Sequence, residues 1–534
     1  MAQSLVKSGS KLSLLTFISR ILGLVREMTK ASFLGTSALS DAFTVAFIIP
    51  NLLRRLFAEN SISVAFIPTF RHYLEADNKT EIKDFLSAVF TLVSFLTTVV
   101  VIIGILIAPL IIPFFGTATS ETILLTRIMF PYLAVISIAA FFQGILNSIR
   151  IFSPSGFTPI LFNLCVIGCT YLLHEKAGNP ARAMAIGVLI GGIIQAGFQL
   201  PFVLKSGFRF FFVSLKKAFS NPGTRTVLKL IAPTIIGMAA YQLNDLVSTL
   251  LAGNAGPGVV SSLQYSLRLQ ELILGIFAVS IGTVILPDLS GLAARKNWES
   301  FNTLLLQAMN TIALITIPIT FFSLVSGENI IILLFKNRNF SEESVFLTLT
   351  AFNWHISGLY FIALNRIIAP AFYAQQDTKS PTIAGVVSFS VNIIMAILLV
   401  KPMRGGGIAL ALSFASAANT VLLVFFLQKK DPEAFRKIIV PTLLYAVKML
   451  VFSVIAALPV WYFKSAIYQP FASLGRIAGQ TIPLICSALI FGLVGIILLK
   501  ISRDPILGRV AAAVGGKLRK TKDTDKDKTD SGEN

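Results

Sequence analysis

Apolar residues in this chain come in runs of about 20, separated by short polar stretches. A run of that length spans about 30 Å of hydrocarbon as a helix. The ten-residue alternation that marks an outer-membrane barrel is absent. The pattern predicts an all-α membrane protein with 14 transmembrane helices. The expected spans are 12–34, 41–70, 86–112, 123–149, 158–174, 183–204, 226–251, 262–286, 302–325, 346–372, 381–400, 407–428, 439–460 and 480–500. Lys7 and Lys11 precede the first run, which contains Arg20 and Arg26 and shows no small-residue cleavage site, so it is expected to stay as a span. Residues 501–534 read as a polar cytoplasmic tail whose end lacks the apolar content for a core.

A faint repeat subdivides the pattern. The second span ends Ile62-Ser63-Val64-Ala65-Phe66-Ile67-Pro68 and the eighth ends Ile281-Gly282-Thr283-Val284-Ile285-Leu286-Pro287. Units six spans apart share orientation and are related by an axis along the membrane normal. The expected organisation is an N-lobe at 1–215, a C-lobe at 216–430, two further helices at 431–500, and the tail. The basic stretch 205–229 is the linker between the lobes.

Composition fits this picture. Of 534 residues, 55% are hydrophobic and 13% charged, with mean hydropathy +0.79; a soluble domain is about 25% charged. Formal net charge is +20. In a soluble protein that could signal nucleic acid. Here the basic residues crowd into the N-terminus and the even-numbered loops and are sparse in the odd-numbered ones. The positive-inside rule therefore puts both termini in the cytoplasm, and no nucleic-acid partner is expected. Cys165, Cys169 and Cys486 lie inside apolar runs, and His72, His174 and His355 are scattered, so neither a disulfide framework nor a metal site is expected. The chain has no nucleotide-binding Gly-rich loop and no His-Glu-x-x-His. It reads as a transporter without catalytic residues or cofactor, driven by a coupling cation or the membrane potential.

The chemistry concentrates in Ser13–Phe70. These two runs carry Arg20, Arg26, Glu27, Asp41, Arg54, Arg55 and Glu59. A charge at a helix centre costs roughly 2.5–3.5 kcal/mol on insertion scales, so this many imply a water-filled cavity or a charged ligand. Arg20 and Arg26 are about 120° apart on a regular helix. They share a cavity if it is wide or if Gly23 lets the helix bend; otherwise each pairs with a neighbouring carboxylate or snorkels. In the second run, Pro50 predicts a kink. Arg55 and Glu59 are four apart and can pair. That leaves Arg54 with no partner at three or four residues, which makes it the better ligand candidate. Asp41 opens the run as a helix N-terminal charge or a gate partner for an arginine. Arg268 and Glu271 lie three apart on one helix face. Asp245, and Asp377 before the eleventh run, are candidate cation ligands.

The sequence Ser19-Arg20-Ile21-Leu22-Gly23-Leu24-Val25-Arg26-Glu27, then Asp41-Ala42-Phe43, then Pro50-Asn51-Leu52-Leu53-Arg54-Arg55-Leu56-Phe57-Ala58-Glu59 resembles the MurJ (MviN) family. The resemblance extends to Arg268-Leu269-Gln270-Glu271 and the 14-span layout. Asn60 departs from it, since family members often have Gly after the Glu. The resemblance implies a lipid II flippase of the bacterial cytoplasmic membrane, in the multidrug/oligosaccharidyl-lipid/polysaccharide exporter superfamily. It implies two six-helix lobes around a cationic cavity, and a groove at spans 13 and 14 for the polyprenyl tail. By motif position it makes Arg20, Arg26, Arg54 and Arg268 substrate-cavity arginines and Asp41 and Glu59 functional carboxylates; Arg55 and Glu271 are charge partners by their helical spacing. Expected partners are lipid II and membrane lipids, with the protein a monomer that contacts the cell-wall synthesis machinery. Guanidinium forks suit a diphosphate. A flippase for another polyprenyl-diphosphate saccharide is the nearest rival. A cation-coupled drug exporter would prefer a carboxylate-rich cavity, and a membrane glycosyltransferase would need acidic residues on a sizeable loop.

Overall fold

The computed structural model describes residues 2–56, 65–117 and 120–506, with side chains described except at 2–13, 232–241 and 276–284. Glu59, Asn60, residues 62–64 of the Ile62–Pro68 segment and the tail beyond 506 lie outside the described residues, as do the side chains of 281–284.

Among the described residues the regular elements are all helices, with no strand. In order the helices are α1 (Ala2–Leu34), α2 (Ala38–Arg54), α3 (Ile67–Glu75), α4 (Lys79–Ile111), α5 (Ser120–Met129), α6 (Tyr132–Ser148), α7 (Ser153–Leu173), α8 (Pro180–Lys205) and α9 (Leu215–Ser220). There follow α10 (Pro222–Gly253), α11 (Val259–Ala294), α12 (Trp298–Phe335), α13 (Glu342–Ser357), α14 (Leu359–Ala374), α15 (Lys379–Lys430), α16 (Pro432–Tyr462), α17 (Lys464–Tyr468) and α18 (Gly475–Ile501). Their starts follow local chemistry. Ser37, Asn78, Asn179, Asn221 and Asp431 each precede a helix, with a side-chain oxygen accepting from the first free N–H groups.

The expected apolar runs fall on helical stretches, with instructive breaks. In the run at 41–70, α2 accounts for the start and α3 for the end, and residues 57–64 between them lie outside the described residues. The run at 123–149 is α5 and α6, interrupted at Phe130-Pro131, because Pro131 withholds an N–H. The run at 346–372 bends by 41° at Gly358, between α13 and α14. The eleventh and twelfth runs lie on α15, broken at Arg404, where φ is 48° and ψ is −128°. Gly405-Gly406-Gly407 follow, and a Cβ on Gly407 would sit 2.3 Å from the Leu399 carbonyl oxygen. Only glycine allows that approach. By length and composition, eight helices among the described residues can cross a membrane, or nine if α13 and α14 count as one.

The chain packs as two compact units: Met1–Leu272 with Leu334–His355 and Gly385–Ala415, and Ile273–Leu333 with Ile356–Ala384 and Ser416–Asn534. In the first unit, Leu34, Phe43, Tyr132, Phe162 and Met184 form one apolar cluster and Phe66, Phe70, Phe85 and Phe141 another. Gly187 and Gly191 let α8 approach α7 so closely that a Cβ would reach Val166 and Phe162 within 3 Å, the small-residue contact that membrane helices use in place of a hydrophobic drive. On α4, Ile102, Leu106 and Leu110 repeat every four residues on an exposed apolar stripe, as a lipid-facing surface requires. In the second unit, Ala313, Ile317, Ala446 and Met449 pack α12 on α16, and Phe491 of α18 joins Ala456 and Ala457.

Candidate functional site

The charges of α1 and α2 are gathered, in the first unit, onto the first half of α11. Asp41 is fully buried. Its Oδ2 accepts the Gly258 N–H at 2.6 Å and its Oδ1 the Ser261 N–H at 2.8 Å. Those N–H groups open α11, where the helix has no internal acceptors for them and where partial positive charge accumulates. A carboxylate from α2 thus caps a helix 217 residues further on. Gly258 makes the fit, with φ at +80° and no room for a Cβ, which would meet the Thr36 carbonyl oxygen at 2.4 Å.

The turn joining α1 to α2 is tied down around this cap. The Tyr265 hydroxyl donates to the Gly35 carbonyl at 3.0 Å, and Thr36 donates to Ser344 at 2.7 Å. Asn339 Nδ2 donates to the Ser32 carbonyl at 2.8 Å. Lys30, also buried, donates to Thr44 Oγ1 at 2.7 Å and lies over the Tyr265 ring at 4.8 Å.

One step along α1 lies the arginine site. Glu27 is buried, and its Oε1 is 2.8 Å from Arg26 Nη2 and 3.7 Å from Arg268 Nε. Arg268 also holds Glu271 at 2.8 Å. Arg26 reaches the other way as well: its Nη1 donates to Asn163 Oδ1 at 3.1 Å, and its guanidinium lies 5.8 Å from the Phe162 ring centre. Asn163 in turn donates to the Ser19 carbonyl at 3.3 Å, so one amide of α7 fixes both the side chain of Arg26 and the backbone beside Arg20. Arg20 itself is half-buried on α1. Two guanidiniums therefore converge on one carboxylate oxygen, a geometry that an anionic oxygen of a ligand can also fill.

The remaining predicted residues sit differently. Arg54 is not without a local partner: its Nε donates to Asn51 Oδ1 at 3.0 Å, three residues back on the same helix. The i,i+4 argument looked only for a carboxylate and passed over that amide. Arg55 meets Asp245 of α10 at 3.6 Å and Gln242 at 3.5 Å; its expected partner Glu59 is outside the described residues. Asp245 is thus engaged by an arginine. Asp377 precedes α15, where it accepts the Ser380 N–H at 3.0 Å and hydroxyl at 2.9 Å, and it pairs with Lys430 at 3.7 Å. Burial alone would raise the Asp377 carboxyl, but those hydrogen bonds and the lysine charge hold it below its usual range. No cluster of metal-type ligands occurs among the described residues.

Sequence reasoning passed over Lys30, Thr44, Asn163 and Tyr265. It also set aside His355, whose Nδ1 is 2.6 Å from Ser266 Oγ and whose carbonyl accepts from Gln270. The available signals were an amide inside an apolar run at Asn163 and a further charge on α1, three residues after Glu27, at Lys30.

Helices of spanning length with an ionic network inside them define a polytopic membrane transporter. The family model for the lipid II flippase MurJ matches residues 30–477. The probable lipid II flippase MurJ of Treponema pallidum is 51% identical over 507 residues, covering 94% of this chain and 96% of that protein. That of Haemophilus influenzae is 31% identical, covering 85% and 92%. A solved lipid II flippase MurJ in an inward closed conformation matches with TM-score 0.75 and 27% identity, over 93% of this chain and 99% of that one. A multidrug resistance transporter of the MOP superfamily in an inward-facing conformation matches in fold alone, with TM-score 0.65 and 14% identity. The chain belongs to the MurJ lipid II flippase family.

Proposed function

We propose that this protein carries lipid II from the inner to the outer leaflet of the bacterial cytoplasmic membrane by alternating access, without covalent chemistry. The observation that carries the reading is the convergence of Arg26 and Arg268 on Glu27. In the unloaded site the Glu27 carboxylate occupies the place of a diphosphate oxygen. The incoming diphosphate displaces it, and the planar guanidinium forks take the phosphate oxygens in its stead. Arg20 and Arg54 extend the same cationic cavity toward the rest of the headgroup, while the polyprenyl tail stays in lipid.

With both termini cytoplasmic, α1 runs outward and the Asp41 cap on α11 lies at the outer end. The cap and the pinned α1–α2 turn then hold the site closed to the outside. Outward release requires Asp41 to leave the Gly258 and Ser261 N–H groups. The gain on the arginines, of which Arg268 lies about two turns beyond Ser261 on α11, offsets that loss. Fourteen spans, two six-helix lobes at 1–215 and 216–430, and a tail groove at 431–500 complete the reading. The protein works as a monomer in contact with the cell-wall synthesis machinery, and a coupling cation or the membrane potential resets it.

Complementation of a conditional lipid II flippase mutant tests the function directly. Rescue by the natural sequence, loss of rescue by Arg26→Ala and Arg268→Ala at equal membrane levels, and impaired rescue after deletion of 438–534 are expected. Failure of the natural sequence to rescue, with export of a different polyprenyl-diphosphate saccharide instead, would overturn the substrate assignment.

A further inference from the structure

Between α8 and α10 the chain does something that transport does not explain. From Phe208 to Ser214 it leaves the helix and lies along the third and fourth turns of α4. The Phe211 N–H donates to Ser87 Oγ at 3.1 Å and the Val213 N–H to Thr91 Oγ1 at 3.0 Å. Residues two apart on an extended chain point their N–H groups to the same side, and Ser87 and Thr91 are one helical turn apart, so the two repeats match. The hydroxyls set the register of this strap. Phe208 and Phe210 consequently turn inward to the cluster of Phe66, Phe85 and Phe141, while Arg209, Phe211 and Phe212 face out, Phe212 at 70% exposure. The short helix α9 continues the surface with exposed Leu215, Lys216 and Phe219.

The strap and its flanks, 205–229, contain six basic residues and no carboxylate. Lys217 pairs with Asp84 at 3.1 Å, and Lys83 lies over the Phe211 ring at 5.0 Å. Arg209 and Lys216 make no ion pair with a carboxylate among the described residues. Exposed aromatic rings interleaved with unneutralised cations, at the end of apolar spanning helices, match the headgroup region of an anionic leaflet: rings at the boundary, cations on phosphate. Pinning by buried hydroxyls holds the Phe211 and Phe212 rings at the surface, Phe212 resting one side on Phe90 at 4.8 Å while most of it stays exposed.

We infer that the 207–220 strap is a docking surface for anionic phospholipid headgroups, which it binds selectively over zwitterionic ones. The inference uses the cytoplasmic placement proposed above only for which leaflet is bound. Nanodiscs expose both faces, so an inverted topology leaves the outcome unchanged and is distinguishable from failure of the inference. The full-length protein with Phe212→Trp is placed in phosphatidylcholine nanodiscs that carry a minor fraction of brominated phosphatidylglycerol or brominated phosphatidylcholine. Emission of the protein without the reporter is subtracted. Half-maximal quenching is expected at a several-fold lower fraction of phosphatidylglycerol than of phosphatidylcholine, and the gap should narrow as salt shortens the screening length. Adding Arg209→Gln and Lys216→Gln should weaken the preference by ~5-fold per charge, from about 1 kcal/mol for each basic residue at an anionic surface. Arg209→Lys with Lys216→Arg should preserve it, which separates loss of charge from misfolding. Equal quenching by the two lipids, a preference that survives the double glutamine variant, or no quenching by either, as for a strap that faces water or an acidic protein, would overturn the inference.

Discussion

Two regions of this molecule hold charge among apolar helices in opposite ways. In the first unit, Glu27 is shared by Arg26 and Arg268, and Arg268 divides itself between Glu27 and Glu271, with its side chain 43% exposed. In the second unit, Lys448 of α16 meets Asp504, just past α18, at 2.7 Å, and the Asp504 side chain is fully buried. Tyr445 donates to the same carboxylate at 3.3 Å, the Ile506 N–H donates at 2.9 Å, and the lysine lies over the Tyr445 and Phe452 rings. The first arrangement offers each charge several partners at differing distances, so one can be exchanged for another. The second gives a lysine one carboxylate and encloses it. Exchangeable charge suits a ligand site, and enclosed charge suits a clasp between helices.

Substitutions at the clasp should have the largest effect on folding. Asp504→Ala leaves Lys448 uncompensated and should cost about 3–5 kcal/mol, read as a lower unfolding temperature and yield in membranes. The apolar pair Lys448→Met with Asp504→Leu should recover most of it, because a buried ion pair can be replaced by matched apolar groups. In the exchangeable network the effect should move from stability to transport. Asp41→Asn keeps the shape but loses the charge on the α11 N–H groups, and it should reduce flipping at least tenfold with normal protein levels, as expected for about 1.5–3 kcal/mol in a charge-assisted hydrogen bond. Arg268→Lys should be milder than Arg268→Ala, because lysine keeps the charge and loses the fork.

Much of the fold could be read along the chain, and most of the pairing could not. Runs of apolar residues located the helices, and the interval between the runs at 381–400 and 407–428 contains the break at Arg404 inside α15. The charges of Ser13–Phe70 include Arg26, Glu27 and Asp41, which the folded chain joins to α7 and α11. Their partners were hidden because periodicity reports neighbours three or four residues away, whereas Asp41 bonds residues 217 and 220 positions on, and Arg26 bonds Asn163, 137 positions on. Arg55 has a long-range partner of the same kind in Asp245, which no local rule offers, while Glu59 lies outside the described residues. Arg54 shows the converse, a local partner in Asn51 that a search for opposite charge overlooks.

Smaller effects sharpen the contrast further. Asn163→Ala removes the amide that orients Arg26, at about 1 kcal/mol, and should lower transport several-fold with folded protein intact. Arg54→Lys should weaken transport modestly. Arg55→Ala should reduce the amount of folded protein, since Asp245 is then left beside apolar helices, and Asp245→Asn in the same chain should restore it. Transport normal in Arg54→Ala but absent in well-folded Arg55→Ala would reverse the roles of the two arginines.

The most direct test is binding of lipid II, or of a soluble polyprenyl-diphosphate analogue, to the Glu27→Gln protein. If Glu27 holds the place of the phosphate between Arg26 and Arg268, removing its charge frees both guanidiniums, and Kd should fall several-fold while Arg26→Gln raises it. A Kd that rises or stays unchanged in Glu27→Gln, in protein that folds normally, would contradict the idea that carboxylate and diphosphate compete for the same arginines.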